Sequence, residues 1–307
     1  MGAIETRGLT KRYGDTLALD HLDLDIARGE VYGFLGPNGA GKTTTIRLLL
    51  GIHRPTAGTA TLAGLDAWSD AVAAHRHVAF VASEPTLWPA LTGAETLEYL
   101  ANLRGGCDTE YRTSLIERFD FDPAKKIRAL SKGNRQKVQL IAAFATRADI
   151  LILDEPTSGL DPLMEAAFRL TVGETRERGQ TIFLSSHVLS EVELLCDRIG
   201  ILRAGRLIDQ GTLQQLRHLS ARTVNVTFSD ARVDLESLRR LDGVEVAQAE
   251  DHHVALQVRG DMGPLLQVLS RLPVTTLDSR EPSLEEVFLV HYRQHADGPQ
   301  PATDVAR

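Results

Sequence analysis

The sequence has 307 residues, of which 43% are hydrophobic and 24% are charged, so it is long enough for one large and one small packed domain. Its formal net charge of −7 argues against a protein whose main role is to coat nucleic acid. Two cysteines lie far apart, and no apolar run approaches the roughly 18 to 20 residues of a bilayer span. The sequence therefore predicts neither a disulfide framework nor a membrane span, and we expect a cytoplasmic protein.

The first part of the chain predicts strands, a glycine-rich turn and a helix. Apolar and polar residues alternate over 17–26, which indicates short half-buried strands. The apolar run 30–35 is typical of a buried strand, and the pattern of residues 43–50 after the glycine-rich turn is typical of a helix. Residues 85–149 are mostly helical in pattern, with breaks at prolines.

Two further buried strands are predicted at 150–153 and 181–184, and each is followed directly by polar residues. A strand pair at 199–202 and 206–209 turns at Ala204-Gly205. Because ligands gather at the carboxyl ends of parallel strands, this arrangement predicts an α/β fold with a parallel sheet and a site at one edge.

After residue 218 the pattern changes. Strands are predicted at 223–228 and 254–258 and near 274–279, with helices near 234–241 and 262–272. A final helix is predicted to follow Pro282, since Ser283 and Glu286 have the spacing of a capping box. We therefore predict a small α/β domain over 219–295, after a main domain over 1–218, and a disordered tail over 296–307.

The glycine-rich turn fits the phosphate-loop pattern G-x-x-x-x-G-K-[ST] in full. Glycines let successive N–H groups point at phosphate oxygens, and the helix that follows adds its positive dipole end. Lys42 is expected to reach the β- and γ-phosphates, and the Thr43 hydroxyl to bind Mg²⁺. The sequence therefore predicts binding of ATP and Mg²⁺ by Gly36, Pro37, Asn38, Gly39, Ala40, Gly41, Lys42, Thr43 and Thr44.

Three residues at the predicted strand ends have the chemistry of nucleotide hydrolysis. Asp154 can supply a carboxylate near Mg²⁺, and the adjacent Glu155 can orient or deprotonate the attacking water. His187 can contact the γ-phosphate or position that water. A pair of acids or a single histidine is a weak signal when it stands alone. Because these residues follow predicted buried strands in a chain with a phosphate loop, a catalytic role is favoured over a structural one.

At this point residues 4–218 resemble the ATP-binding cassette (ABC) family. The segment 130–136, Leu-Ser-Lys-Gly-Asn-Arg-Gln, resembles the family's LSGGQ-type signature, and 158–161 resembles its D-loop. The resemblance implies a P-loop NTPase core with a helical subdomain over about 85–131 and an antiparallel β subdomain. It also implies that two copies share two ATP molecules, and that each site receives opposite-protomer contacts from Ser131, Gly133, Asn134 and Asp161.

Two further positions follow from the resemblance. Tyr13 occupies the place of an aromatic residue that stacks on adenine. Ser83 occupies the place of a glutamine that binds Mg²⁺, and its shorter hydroxyl makes it a weaker metal ligand.

The C-terminal segment 281–288 is similar to the closing motif of ABC-2-type exporter ATPases, and the small domain before it resembles their accessory domain, of ferredoxin-like fold. This implies an exporter subunit that binds the inner face of the cell membrane through a separate permease. We expect the permease to dock around residues 83–91, where Trp88 and Leu91 offer apolar contact.

Other functions remain as alternatives at this stage. A soluble ABC ATPase acting on nucleic acid or ribosomes usually carries two cassettes or long insertions, and this chain has one cassette. A P-loop kinase or GTPase is disfavoured by the signature-like segment, and a serine hydrolase by the lack of G-x-S-x-G. A zinc enzyme is disfavoured because neither His75 and His77 nor His252 and His253 have supporting ligands at suitable spacing.

Overall fold

The computed structural model describes residues 2–218, 222–230 and 235–280. By its internal contacts the chain divides into a unit that ends at Gln210 and a unit that begins at Gly211. The strands are β1 Ile4–Tyr13, β2 Thr16–Ile26, β3 Val31–Leu35, β4 Ala57–Leu62, β5 Leu65–Asp66, β6 Val78–Val81, β7 Ile150–Asp154, β8 Thr181–Ser186, β9 Arg198–Arg203, β10 Arg206–Gly211, β11 Arg222–Phe228, β12 Val244–Glu250, β13 His253–Val258 and β14 Val274–Arg280. The α-helices are α1 Lys42–Leu49, α2 Ala71–Ala74, α3 Gly93–Leu103, α4 Thr109–Arg118, α5 Lys132–Ala145, α6 Pro162–Glu177, α7 Leu189–Leu195, α8 Leu213–His218, α9 Glu236–Arg239 and α10 Gly263–Leu269, and 3₁₀ turns lie at His75–His77 and Ile127–Ala129.

The central sheet of the first unit has the strand order β10-β9-β3-β8-β7-β6. The pairs β9–β3, β3–β8, β8–β7 and β7–β6 are all parallel. Strands β3 and β7 are buried at every residue, as expected for parallel strands that bury both faces. The predicted parallel sheet is therefore confirmed, and the carboxyl ends of β3, β7 and β8 lie at the same edge.

A second sheet of the first unit, β2-β1-β4-β5, is antiparallel. Its apolar side chains pack in one core with aromatic residues of the central sheet, among them Phe34 and Phe183. Residues 17–26 form one continuous strand, β2, rather than the several short strands predicted. Its leucines at 22 and 24 and Ile26 are buried and alternate with exposed residues, because successive side chains of a strand point to opposite faces.

Three helices occupy most of the segment between β6 and β7. Helix α3 begins with a capping box between Thr92 and Glu95, and α4 is capped by Asp108. Helix α5 is capped by Ser131 and packs against both α3 and α4. Each of these side chains satisfies backbone N–H groups at a helix start, which explains where the three helices begin.

The second unit contains an antiparallel sheet of order β12-β13-β11-β14 with helices α9 and α10. The element order β-α-β-β-α-β with this sheet order is that of the ferredoxin-like fold. Its core is formed by one face of the sheet and the two helices, with Val224, Phe228, Leu256 and Leu265 fully or almost fully buried. The helix predicted after Pro282 and the tail lie outside the described residues. Within the described ranges, no helix is long and apolar enough to span a bilayer.

Candidate active site

The phosphate loop joins β3 to α1, so the predicted strand–loop–helix context is confirmed. Gly39 and Gly41 have φ angles of 81° and 113°, which L side chains rarely adopt. A Cβ atom on Gly41 would also lie 2.9 Å from the carbonyl oxygen of Ala18 in β2. The loop therefore needs glycine at position 41 for its conformation and for the close approach of β2.

Lys42 lies at the first position of α1, and its side chain is only 5% exposed. Its ammonium group donates hydrogen bonds to the carbonyl oxygens of Gly36, at 2.6 Å, and Pro37, at 3.3 Å. The same Nζ atom lies 3.6 Å from Oε1 of Glu155. The cation is therefore held inside the loop and beside the carboxylate at the end of β7.

Asp154 is the last residue of β7 and is buried. Its Oδ1 accepts a 2.5 Å hydrogen bond from the hydroxyl of Ser185, because parallel pairing places the two residues opposite each other. Its Oδ2 lies 3.4 Å from the hydroxyl of Thr43, which donates to it. Burial raises the pKa of Asp154 above its usual value, and the Glu155 charge adds to this, whereas the Ser185 hydrogen bond and the Lys42 charge lower it.

Glu155 follows β7 with a φ of 47°, in the left-handed region. Its amide N–H points to the carbonyl oxygen of Ser185, at 3.1 Å, and to the Ser185 hydroxyl, at 3.2 Å. Its Oε1 lies 3.3 Å from Nδ1 of His187 as well as near Lys42. The Glu155 carboxylate therefore lies between the imidazole of His187 and the ammonium group of Lys42.

Thr43 and Asp154 fit a magnesium ion, because Mg²⁺ prefers oxygen ligands and uses one or two carboxylates together with phosphate oxygens and water. Ser83 comes shortly after β6, which pairs with β7 through Val81 and Leu153, so Ser83 lies toward the same edge of the sheet. The backbone before it is held by α5, since Gln139 accepts a hydrogen bond from the amide of Ala82.

The signature-like residues form a second group. The hydroxyl of Ser131 accepts a hydrogen bond from the amide of Asn134 at the start of α5. Lys132 donates to the Ser158 hydroxyl at 3.2 Å, and a Cβ atom on Gly133 would lie 2.3 Å from the carbonyl oxygen of Gly159. Segment 131–134 therefore packs closely against the loop that follows Glu155.

Asp161 and Tyr13 have local roles of their own. The Asp161 carboxylate caps α6 by accepting hydrogen bonds from the amides of Leu163 and Met164, both at 3.0 Å. The ring of Tyr13 is partly exposed at the end of β1 and makes an edge contact with His53, with Lys11 over its face. The ring contacts of Tyr13 are thus with these two residues rather than with the phosphate loop.

The structure brings Lys42, Thr43, Asp154, Glu155 and His187 together at the edge of the sheet. Sequence reasoning missed Ser185, which binds both the Asp154 carboxylate and the Glu155 amide. Its position directly after the predicted strand 181–184 was a signal, because a neighbouring parallel strand ends at Asp154.

The comparisons with known proteins agree with this geometry. The family profile described as "ABC transporter" matches residues 19–158, and that described as "ATP-binding protein DrrA1-3-like, C-terminal domain" matches residues 211–292. The daunorubicin/doxorubicin resistance ATP-binding protein DrrA of Streptomyces peucetius is 35% identical, over 96% of this chain and 94% of that protein. The chain belongs to the ABC transporter family. It is an ATP-binding and ATP-hydrolysing subunit of a transporter.

Further similarities support the assignment of this ABC ATPase. The bacitracin transport ATP-binding protein BcrA of Enterococcus faecalis is 31% identical, over 93% of this chain and 94% of that protein. A solved ATP-binding subunit of an ABC transporter is 32% identical with a TM-score of 0.67, over 71% of this chain and 92% of that one. A dimeric structure of the cassette MJ0796 bound to ADP and Pi, 24% identical with a TM-score of 0.62 over 68% of this chain and 98% of that one, shares the fold. The α/β P-loop fold predicted from the sequence is confirmed.

Proposed function

We propose that this ABC ATPase drives export through a separate membrane permease. Support comes from the two relatives named for drug resistance and bacitracin transport, which match it along nearly their whole length. The match to the DrrA-like C-terminal domain extends this similarity beyond the cassette. Neither the fold nor these relatives favour the alternative of a soluble ATPase acting on nucleic acid or ribosomes. The proposed domain limits are 1–218 for the cassette and 219–295 for the accessory domain.

The catalytic assignment rests on one observation: the Glu155 carboxylate lies within 3.6 Å of both Lys42 and His187. Glu155 takes the proton of the attacking water, His187 orients that water or the γ-phosphate, and Lys42 binds the β- and γ-phosphates. Backbone N–H groups of the phosphate loop and the start of α1 bind the remaining phosphate oxygens. The nucleotide-binding residues are Gly36, Pro37, Asn38, Gly39, Ala40, Gly41, Lys42, Thr43 and Thr44, with Tyr13 stacking on adenine.

Thr43 and Asp154 would hold Mg²⁺, and Ser83 would be a weaker additional ligand. When bound, the ion neutralises charge on the phosphate oxygens. The hydrogen bond from Ser185 keeps the Asp154 carboxylate oriented toward Thr43.

A second copy of the chain completes each site. Helix α5 is 14 residues long and has no acidic residue in its first turn, so its N-terminal N–H groups and dipole suit a phosphate. The signature-like residues Ser131, Gly133 and Asn134 begin this helix, and they pack on the loop that leads to Asp161. In the proposed homodimer, the nucleotide bound by the partner's phosphate loop is contacted by Ser131, Gly133, Asn134 and Asp161.

The permease docks in a groove of about 330 Å³ between β6, the segment after it, α3 and α5. Trp88, Tyr99 and Leu103 are large apolar residues that are 43–64% exposed at or beside this groove. Trp88 and Tyr99 support each other through an edge contact with ring centroids 4.7 Å apart. An exposed apolar cluster of this kind marks an interaction surface. Its proposed occupant is a cytoplasmic segment of the permease. This contact holds the ATPase at the inner face of the membrane.

The deciding experiment measures ATP hydrolysis against protein concentration for the purified wild type and Glu155→Gln. We expect Glu155→Gln to bind ATP but not hydrolyse it, and therefore to accumulate as a nucleotide-bound dimer in sedimentation. Glu177→Gln, an exposed site on α6, is the matched control and should behave as wild type. Wild-type hydrolysis by Glu155→Gln would exclude Glu155 as the base, and an active wild-type monomer would exclude the shared site.

A further inference from the structure

Glu191, in α7, carries a carboxyl group that the proposed mechanism does not use. Its Oε2 accepts a 2.8 Å hydrogen bond from the hydroxyl of Ser186. Its Oε1 is enclosed by protein and has no hydrogen-bond partner of ordinary geometry among the described residues. Enclosing a carboxyl group is costly unless its contacts compensate, so the group is a candidate for a specific role.

The contacts of Glu191 surround the turn that carries His187. The Ser186 hydroxyl donates to Glu191 and also accepts a 2.9 Å hydrogen bond from the amide of Val188. Ser186 and Val188 are the residues immediately before and after His187. A chain of two hydrogen bonds therefore fixes the backbone on both sides of the imidazole that lies 3.3 Å from Glu155.

The same carboxyl group also faces the segment that follows Glu155. Burial raises the pKa of Glu191, whereas the hydrogen bond from Ser186, the nearby hydroxyl of Thr157 and the charge of His187 lower it. Glu165 is a further acidic side chain close enough to raise this pKa. Thr157 comes two residues after Glu155, so Glu191 lies between the turn that carries His187 and the segment that carries Glu155.

We propose that Glu191 is a positioning residue for ATP hydrolysis, which holds the turn 186–188 so that His187 stays against Glu155. The proposal rests on the proposed roles of His187 and Glu155. Glu191 does not contact the reacting atoms, and it acts by accepting the Ser186 hydrogen bond. Loss of this acceptor leaves the Ser186 hydroxyl only the longer, 3.4 Å contact with the carbonyl oxygen of Val188, and this loosens the turn while the phosphate loop is left intact.

The test compares kcat for ATP hydrolysis and the dissociation constant for ATP in Glu191→Ala, Glu191→Gln and Ser186→Ala. We expect kcat to fall about 10-fold in Glu191→Ala and Ser186→Ala, as for one lost hydrogen bond to a charged group, with ATP affinity unchanged. Glu191→Gln keeps an oxygen acceptor and should stay within about 3-fold of wild type by the same reasoning. Unchanged ATP affinity also shows that the variants fold, and Glu177→Ala is the matched control.

A double variant separates positioning from general structural damage. Because Glu191 acts through His187, adding Glu191→Ala to His187→Ala should cause no further loss of kcat. The proposal is wrong if the two losses multiply, if Glu191→Ala keeps wild-type kcat, or if Glu191→Gln loses as much as Glu191→Ala. If His187→Ala itself keeps wild-type kcat, the proposed catalytic role of His187 fails instead.

Discussion

The hydrogen bond from Ser185 to Asp154 leads to a quantitative prediction for Ser185→Ala. Ser185 is completely buried at the end of β8. Its hydroxyl donates the 2.5 Å hydrogen bond to Asp154 and lies 3.2 Å from the amide of Glu155. Alanine fits the same space without a clash, so the substitution removes these contacts and little else.

The expected loss follows from the burial of Asp154. A hydrogen bond to a charged group contributes about 1.5–3 kcal/mol, and the remaining Thr43 contact is longer, at 3.4 Å. We therefore expect the free energy of unfolding to fall by about 2 kcal/mol at neutral pH. Weaker positioning of the carboxylate should also weaken binding of Mg²⁺-ATP.

The loss should depend on pH. Burial already raises the folded-state pKa of Asp154, and removal of the Ser185 hydrogen bond raises it further. Stability linked to a raised pKa is present at low pH and is lost as the pH rises through the folded-state pKa. The difference in stability between wild type and Ser185→Ala should therefore be smaller at acidic pH, where Asp154 is protonated in both proteins, and reach its full size above the folded-state pKa.

Urea unfolding followed by tryptophan fluorescence can measure this difference, because both tryptophans, Trp68 and Trp88, lie in the unit that ends at Gln210. In the Asp154→Asn background the pH dependence of the Ser185→Ala effect should disappear. An effect of equal size at pH 4 and pH 8, or a pH dependence that persists in that background, would refute the reasoning.

Three further substitutions test other parts of the site. Lys42→Ala should weaken ATP binding by about 100-fold, because it removes the ammonium group from the phosphate loop, and normal affinity by titration calorimetry would contradict the assignment. Gly133→Ala places a Cβ atom 2.3 Å from the carbonyl oxygen of Gly159, so we expect ATP to bind normally while hydrolysis falls at least about 10-fold. Wild-type turnover would show that this packing is dispensable. Trp88→Ala should leave hydrolysis by the isolated ATPase unchanged and reduce its co-purification with membranes that contain its permease, and equal recovery would exclude the groove as the docking site.

The grouping of polar side chains at one edge of the central sheet could be predicted because its sequence signals are local. A run of four apolar residues before Asp154 indicates a buried parallel strand, and such strands bring their final residues to one edge. The phosphate loop is similarly contained in one short segment. Its glycine spacing indicates the tight backbone turn, and the Lys42-Thr43 pair indicates phosphate and Mg²⁺ binding.

Contacts between distant segments could not be predicted in the same way. The role of Ser185 depends on the register that pairs it with Asp154, which periodicity does not determine. The contact of Tyr13 with His53 joins residues 40 positions apart. Helix ends were also imprecise, since the helix predicted near 234–241 is the shorter Glu236–Arg239, and periodicity does not mark where capping ends a helix.

The left-handed backbone of Glu155 has a consequence for the evolution of this ATPase. For an L residue other than asparagine or aspartate, this conformation costs about 1–2 kcal/mol. Glycine or asparagine at position 155 would relieve that cost and remove the carboxylate that we propose accepts the proton. A substitution that is selected for stability at this position would therefore remove the proposed base, so stability and turnover place opposite demands on residue 155.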